Sequence, residues 1–327
     1  MRVTISHDPR DFVARDWSDV ARADPSGTFF HTPRYLKLYW EEFGQDAGLV
    51  QAFVEDGERT AGAAAFEIEG DTLRFLGGTD VTDYMGPVAR SGAEDGVAKE
   101  LMQAVAGLDS WRRADLLGLP EDSPWLSRLR DAAEAQGFAV EAADDSVAPL
   151  LELPGSYEEY LANLPAKLRH EIRRKARRLD QEAGGHTLVH ATPDTLAHDL
   201  SLFVAMHRGS EGPKGKFMKP GMEIFFRRMG EAFLAEGIFR LAFVEAGGEK
   251  MAGAIAFVHA ATTYLYNSAL DHRYRDLAPG MVLVADLIEQ ACRERCDRFD
   301  MLKGDLSYKY RFGARPRAVR RLAFSRR

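Results

Sequence analysis

At 327 residues, 45% hydrophobic and 28% charged, the chain is long enough for two buried cores and has no compositionally simple stretch. Its net charge of -7 excludes a protein that coats nucleic acid with its whole surface, so any anion site must be local. The start, MRVTISHDPRDF, lacks the basic and apolar run of an export signal, and the longest apolar run, Met251 to Ala261, is broken by His259 and is too short for a bilayer; a cytoplasmic protein without stable membrane insertion is expected.

In the first half, Phe30 and Pro33 precede an apolar strand with Ala52-Phe53-Val54-Glu55, a turn, and a second apolar strand with Ala61-Gly62-Ala63-Ala64-Ala65-Phe66. A glycine-rich loop follows, Gly77-Gly78-Thr79-Asp80-Val81-Thr82-Asp83-Tyr84-Met85-Gly86-Pro87. Asp83 there could act as a general base or fix an acceptor amine, although Asp and Gly are also ordinary turn formers. Asp144, Asp145 and Ser146 mark a boundary, giving expected domains of 1–145 and 146–327.

The second domain opens on the strand Val147 to Leu153. Ser156 with Glu159 then reads as a capping box. Leu168, Ile172, Ala176 and Leu179 place an apolar stripe on a helix that Gly184-Gly185 ends. The same helix carries seven cations, Lys167, Arg169, Arg173, Arg174, Lys175, Arg177 and Arg178, with Glu171 the single carboxylate among them. Such a face repels itself unless an anion offsets it, so it is read either as a solvated surface or as a phosphate or polyanion contact. Further on come a hairpin turning at Ala246 to Lys250, a strand Thr262 to Ala269, Pro279-Gly280 opening a helix to about Arg295, and a strand Arg298 to Leu302. Free N–H groups at that helix start could hold a pyrophosphate. The segment Asp300 to Gly313, interleaving Lys303, Lys309 and Arg311 with Tyr308, Tyr310 and Phe312, lies just past a strand end, where ligands collect in α/β sheets.

The halves also echo one another. Phe30/Pro33 match Phe217/Pro220, Ala52–Glu55 match Ala242–Glu245, Ala61–Phe66 match Ala252–Phe257, and Asp115–Gly118 match Asp300–Gly304, at offsets of 187, 190, 191 and 185. The fold class expected is therefore a mixed-sheet α/β unit used twice. No nucleotide-binding Gly-x-x-x-x-Gly-Lys-Ser/Thr loop, Gly-x-Ser-x-Gly elbow or His-Glu-x-x-His pair occurs. Cys292 and Cys296, with no second cysteine pair, read as buried thiols, and no metal is expected.

Through the duplicated hairpin, Thr82-Asp83-Tyr84, the basic run, Met206-His207-Arg208, Tyr264-Leu-Tyr266-Asn267-Ser268-Ala269, Pro279-Gly280, Lys303-Gly304-Asp305 and Tyr308 to Gly313, the chain resembles the Fem-like branch of the GNAT superfamily, including the related acetyltransferases of cell-envelope polysaccharide clusters. The resemblance implies two tandem GNAT-like domains facing a shared cleft, with the acyl donor held mainly by the second. Acyl-CoA would be the co-substrate, transferred to an amine or hydroxyl acceptor such as a cell-envelope precursor. It further implies roles for Asp83 or Asp305 in taking the acceptor proton, for Tyr308 at the leaving group, and for Lys309, Arg311 and Arg208 at phosphates. Pro279, Gly280, Met281 and Lys303 would complete the donor site; Tyr84, Arg173, Arg177, His207, Tyr266 and Asn267 would contact substrate. One departure is plain: GNAT enzymes usually carry Gln/Arg-x-x-Gly-x-Gly/Ala at the donor helix, whereas this chain has Arg275-Asp-Leu-Ala-Pro279-Gly280. Fem enzymes proper use aminoacyl-tRNA, which leaves aminoacyl transfer to a peptidoglycan precursor as the rival reading. A scaffold that binds polyanions through residues 167–178 without catalysis is the non-enzyme alternative.

Overall fold

The computed structural model describes residues 1–210 and 213–326, which form two compact units: Met1–Val147 with the tail from Arg317, and Ala148–Pro316. The strands of the first stretch are β1 (Arg2–Ser6), β2 (Gly48–Asp56), β3 (Arg59–Glu69), β4 (Thr72–Phe75), β5 (Val88–Ala89), β6 (Arg113–Pro120) and β7 (Ala139–Val147). Those that follow are β8 (Leu150–Glu152), β9 (His186–His190), β10 (Phe239–Ala246), β11 (Glu249–His259), β12 (Thr262–Leu270), β13 (Arg298–Asp300) and β14 (Ala318–Ser325). The first unit's sheet runs β1-β2-β3-β4-β6-β14-β7, with β5 beside β3; the second runs β8-β13-β12-β11-β10-β9. Both sheets are mixed: antiparallel hairpins lead to a helix and then to a parallel pair, β4 with β6 and β12 with β13.

The tail differs from the expected division, because β14 sits between β6 and β7 in the first sheet. Val319, Leu322 and Phe324 point into that unit's core, while Arg320 and Arg321 meet Asp144 and Asp115 on neighbouring strands. Read alone, RAVRRLAF looks like a basic tail; burial of its apolar side chains makes it a strand, and the opposite charges across the sheet accommodate its arginines.

The repeat is real but its alignment needs correcting. In the first unit Ala52 lies opposite Ala64 and Val54 opposite Gly62, with a bulge after Val54; in the second Ala242 lies opposite Ala254 and Val244 opposite Ala252, with a bulge after Val244. The paired strands therefore correspond at one constant offset of 190, and the likeness of Ala61–Phe66 to Ala252–Phe257 is slipped by one residue. A one-residue slip changes the sheet face, so the two glycines serve opposite sides. A Cβ on Gly62 would lie 2.6 Å from Val97 of the helix Glu94–Ala106. One on Gly253 would lie 2.6 Å from the Phe243 ring and 3.3 Å from Phe203 of the helix Leu196–Arg208. Each glycine marks where backbone and packed side chains come closest.

In the second unit the helix Pro279–Arg293 buries Val282, Leu283, Leu287, Ile288 and Ala291 against Ala242, Val244, Ala254 and Leu265. Its last turn contributes Cys292, which joins Cys296 as a buried free thiol; burial pushes the Cys292 thiol up to about 11, so it stays protonated. No helix among the described residues is long and apolar enough to cross a membrane.

Candidate active site

Strands β12 and β13 pair only from Thr262/Arg298 to Tyr264/Asp300, after which β12 runs on to Leu270 while the other chain turns away. The turn is sharp: Leu302 and Gly304 both have positive φ, 58° and 114°, and the buried Asp300 carboxylate accepts from the Leu302 N–H at 2.8 Å. Against β11, β12 is bulged so that Asn267 faces Ile255 and Leu265 faces Ala256, leaving Tyr266 as the extra residue. Parallel strands that part beside a bulge expose side chains that a regular ladder would cover.

Several residues expected at the site meet here. Asn267 Oδ1 accepts from Nε2 of the buried His207 at 3.1 Å; an amide oxygen only accepts, so the imidazole proton lies on Nε2. The next residue, Ser268, hydrogen-bonds the Tyr308 hydroxyl, and burial raises the phenol's pKa, the Ser268 bond opposing in part. Tyr308 therefore stays protonated through the neutral range. Tyr266 packs edge-on to Phe257 at 5.3 Å and to Phe226 at 5.7 Å.

Other expected residues are placed differently. Lys309 is only 3% exposed, and its ammonium donates to the carbonyls of Leu302 and Lys303, both at 2.8 Å, clamping the turn rather than facing solvent as a phosphate ligand would. Lys303 supplies one of those carbonyls. Asp305 is exposed and accepts from the Tyr310 hydroxyl at 2.6 Å. Arg311 pairs with Glu171 at 3.4 Å, taking the single carboxylate of the basic run. Arg208 pairs with Glu223 at 2.9 Å and donates to the Met218 carbonyl, stapling its helix to the helix Pro220–Phe233. In the first unit Asp83 is half-buried, and Tyr84 is a core residue, not a substrate contact: it is 1% exposed, packs edge-on to Phe30 at 6.1 Å, and its hydroxyl oxygen accepts from the Arg317 guanidinium.

At the helix start, Pro279 has no N–H, the Met281 N–H is spent on Ala278, and the Gly280 N–H has no hydrogen-bond partner among the described residues. A Cβ on Gly280 would meet only Leu270, at 3.8 Å, so open space lies before this donor. Arg275 in the preceding turn is exposed and in no ion pair among the described residues. One N–H, the macrodipole and one guanidinium fit a phosphate, with fewer donors than a glycine-rich loop gives.

The helix Ala166–Ala183 turns Ile172 and Leu179 inward and Lys167, His170, Arg173, Arg174 and Arg177 outward. Arg169 donates to the carbonyls of Leu161, Ala162 and Leu164, and Arg178 pairs with Glu182 at 2.6 Å. Lys167, Arg173, Arg174, Lys175 and Arg177 form no ion pair among the described residues. Sequence reasoning missed the anchor of this helix, His186. Its Nδ1 meets Asp180 at 2.5 Å and its Nε2 meets Asp286 of the helix Pro279–Arg293 at 3.3 Å. The Asp286 bond and, after the opposing effect of burial, the Asp180 bond raise the imidazole to about 9. Because this exceeds the ordinary value near 6.5, the stabilisation is complete below about pH 6.5 and is lost as pH rises through about 9. Asp180 is nearly half exposed, which discounts the effect to on the order of 2 kcal/mol. Chemical denaturation should show that loss between neutral and alkaline pH, and His186→Gln should flatten the dependence.

Residues 166–310 match the family model of the acetyltransferase (GNAT) domain. Among solved structures, FemX aligns over 100% of this chain and 98% of its own, with a TM-score of 0.69 at 10% identity. The C-terminal domain of a protein assigned as a lysylphosphatidylglycerol synthetase from Agrobacterium fabrum aligns over 98% and 92%, TM-score 0.62, at 14% identity. A tandem GNAT protein from the clavulanic acid biosynthesis pathway aligns over 100% and 99%, TM-score 0.50, at 12% identity. The fold is that of the tandem, Fem-like GNAT proteins. None of the curated proteins matches the sequence. The GNAT match begins on the first residue of the basic helix and ends at Tyr310, so it takes in the bulge, the helix Pro279–Arg293 and the Lys309 turn.

Proposed function

We propose that this chain transfers an acyl group from an acyl-CoA to an amine or hydroxyl of a phosphate-bearing acceptor, a cell-envelope precursor being the class favoured. The observation carrying the reading is the parting of β12 from β13 beside the Tyr266 bulge, with a protonated tyrosine on Ser268 at its margin and a helix start offering the free Gly280 N–H. The match to a GNAT domain supports the reaction class, and a structural neighbour named for lysylphosphatidylglycerol supports an envelope acceptor.

In this scheme the acceptor nitrogen or oxygen attacks the acyl carbon, the carbon–sulfur bond breaks, the Asp305 carboxylate of the second unit takes the acceptor proton, and Tyr308 protonates the departing sulfur. Placement supplies most of the acceleration, and each proton transfer adds to it. Lys309 enters as the residue that holds the Leu302–Gly304 turn and thereby positions Tyr308. His207 and Asn267 fix the bulged strand.

The five unpaired cations on the helix Ala166–Ala183 favour a second reading, aminoacyl transfer from tRNA, since a polyanion would offset their mutual repulsion. Thermal denaturation with each donor separates the two. Acetyl-CoA or a longer acyl-CoA at about 100 times its Kd should stabilise the chain by roughly 2.7 kcal/mol, and aminoacyl-tRNA should leave it unchanged. Stabilisation by aminoacyl-tRNA alone reverses the choice of donor; response to neither, with salt-sensitive binding of any polyanion, leaves only the binding scaffold.

A further inference from the structure

The first unit holds a cavity of about 360 Å³ that the reaction above does not use, lined among others by Tyr39, Glu67, Phe75, Gly78 and Met85. Small-molecule pockets span roughly 300–1,000 Å³, so it is of ligand size. We propose that this cavity binds an organic ammonium ion, with the Glu67 carboxylate as its counter-charge.

The wall is built rather than incidental. Tyr39 brings its hydroxyl to 3.5 Å from Glu67 Oε2, and a Cβ on Gly78 would lie 2.6 Å from that hydroxyl, so only glycine admits the tyrosine there. Gly78 itself has φ +63° and is held by the Thr82 N–H on its carbonyl at 3.1 Å. The glycine-rich loop prominent in the sequence thus forms one side of the cavity.

The charges around it leave one vacancy for a cation. Glu69 is paired with Arg74, and Asp115 with Arg321 at 2.5 Å. Glu67 is 8% exposed and has no cation at ion-pair distance; Arg74 acts on it only from further away. Asp80, beyond Tyr39, adds negative charge. Burial already pushes the Glu67 carboxyl up to about 7, Arg74 opposing and Glu69 reinforcing. A buried carboxylate without a counter-charge costs several kcal/mol, which an ammonium would offset, while the rings and thioether take its alkyl groups. An anion would face Glu67 with Arg74 already engaged by Glu69 and Asp115 by Arg321.

The test uses the full chain with ¹³C-labelled glutamate carboxyls, the Glu67 signal being identified by its loss in Glu67→Gln. Saturating n-butylammonium should lower the Glu67 titration midpoint by at least one unit, since a bound cation favours the ionised form, whereas n-butanol should leave it in place. Glu67→Gln should weaken n-butylammonium binding at least tenfold. A midpoint unmoved by n-butylammonium, or moved as far by n-butanol, overturns the proposal; so does uptake of butyrate in preference to n-butylammonium by the unaltered chain, a result that needs no variant to fold. None of these outcomes depends on acyl transfer, so this site and that reaction can fail separately.

Discussion

Tyr308→Phe is expected to lower the rate of acyl transfer roughly 100-fold while leaving donor affinity and thermal stability close to those of the unaltered chain. The phenol sits on Ser268, past the point where β12 and β13 part, and burial keeps it protonated. Losing one hydroxyl next to a half-buried serine costs only about 1 kcal/mol of stability, because Ser268 can turn to water. A proton donor lost from the transition state acts on the chemical step instead. Thiol release from acetyl-CoA with a panel of amine and sugar-hydroxyl acceptors gives kcat and KM separately; a fall confined to KM would assign Tyr308 to binding rather than proton transfer.

The largest stability effect is expected at Lys250→Met, about 3–5 kcal/mol. Asp199, on the helix Leu196–Arg208, is 1% exposed, and the Lys250 ammonium of β11 bonds it directly while lying 4.8 Å from the Phe243 ring. Removing the lysine strands a carboxylate in the core. Replacing both partners with Asp199→Leu and Lys250→Met should recover most of the loss, since neither charge is then left buried, and the coupling between the two sites should appear in a double-mutant cycle. If Lys250→Met costs less than about 1 kcal/mol in chemical denaturation, the pair is no more than a surface contact.

What the sequence showed of this fold follows from period and punctuation. Apolar runs between turns located β10, β11 and β12, and Pro279-Gly280 located the helix that crosses to β13. Letter matching could not set the register of the repeat, because Ala-Gly-Ala strings read the same after a one-residue slip; Val97 on one face and Phe243 on the other decide which position must be glycine. The tail strand was hidden because its arginines are neutralised by Asp115 and Asp144, far away in sequence. At the site, residue types were legible and their engagements were not. A lysine among tyrosines suggests a phosphate ligand, but nothing local reveals that two carbonyls of its own turn hold the Lys309 ammonium. Glu67, near the end of β3, carries no mark of its burial in the sequence; the Gly78–Tyr39 approach shows that its side of the sheet is enclosed.

Equilibrium dialysis of labelled acetyl-CoA against the chain, with and without Gly280→Glu, most directly tests donor binding at the second unit's helix start. A carboxylate placed at Gly280, where a Cβ has open space before it, would oppose a pyrophosphate without crowding the core. One equivalent bound per chain, lost in Gly280→Glu at unchanged thermal stability, is the predicted result. Binding indifferent to Gly280→Glu, or no binding by a chain that does take up aminoacyl-tRNA, would contradict it.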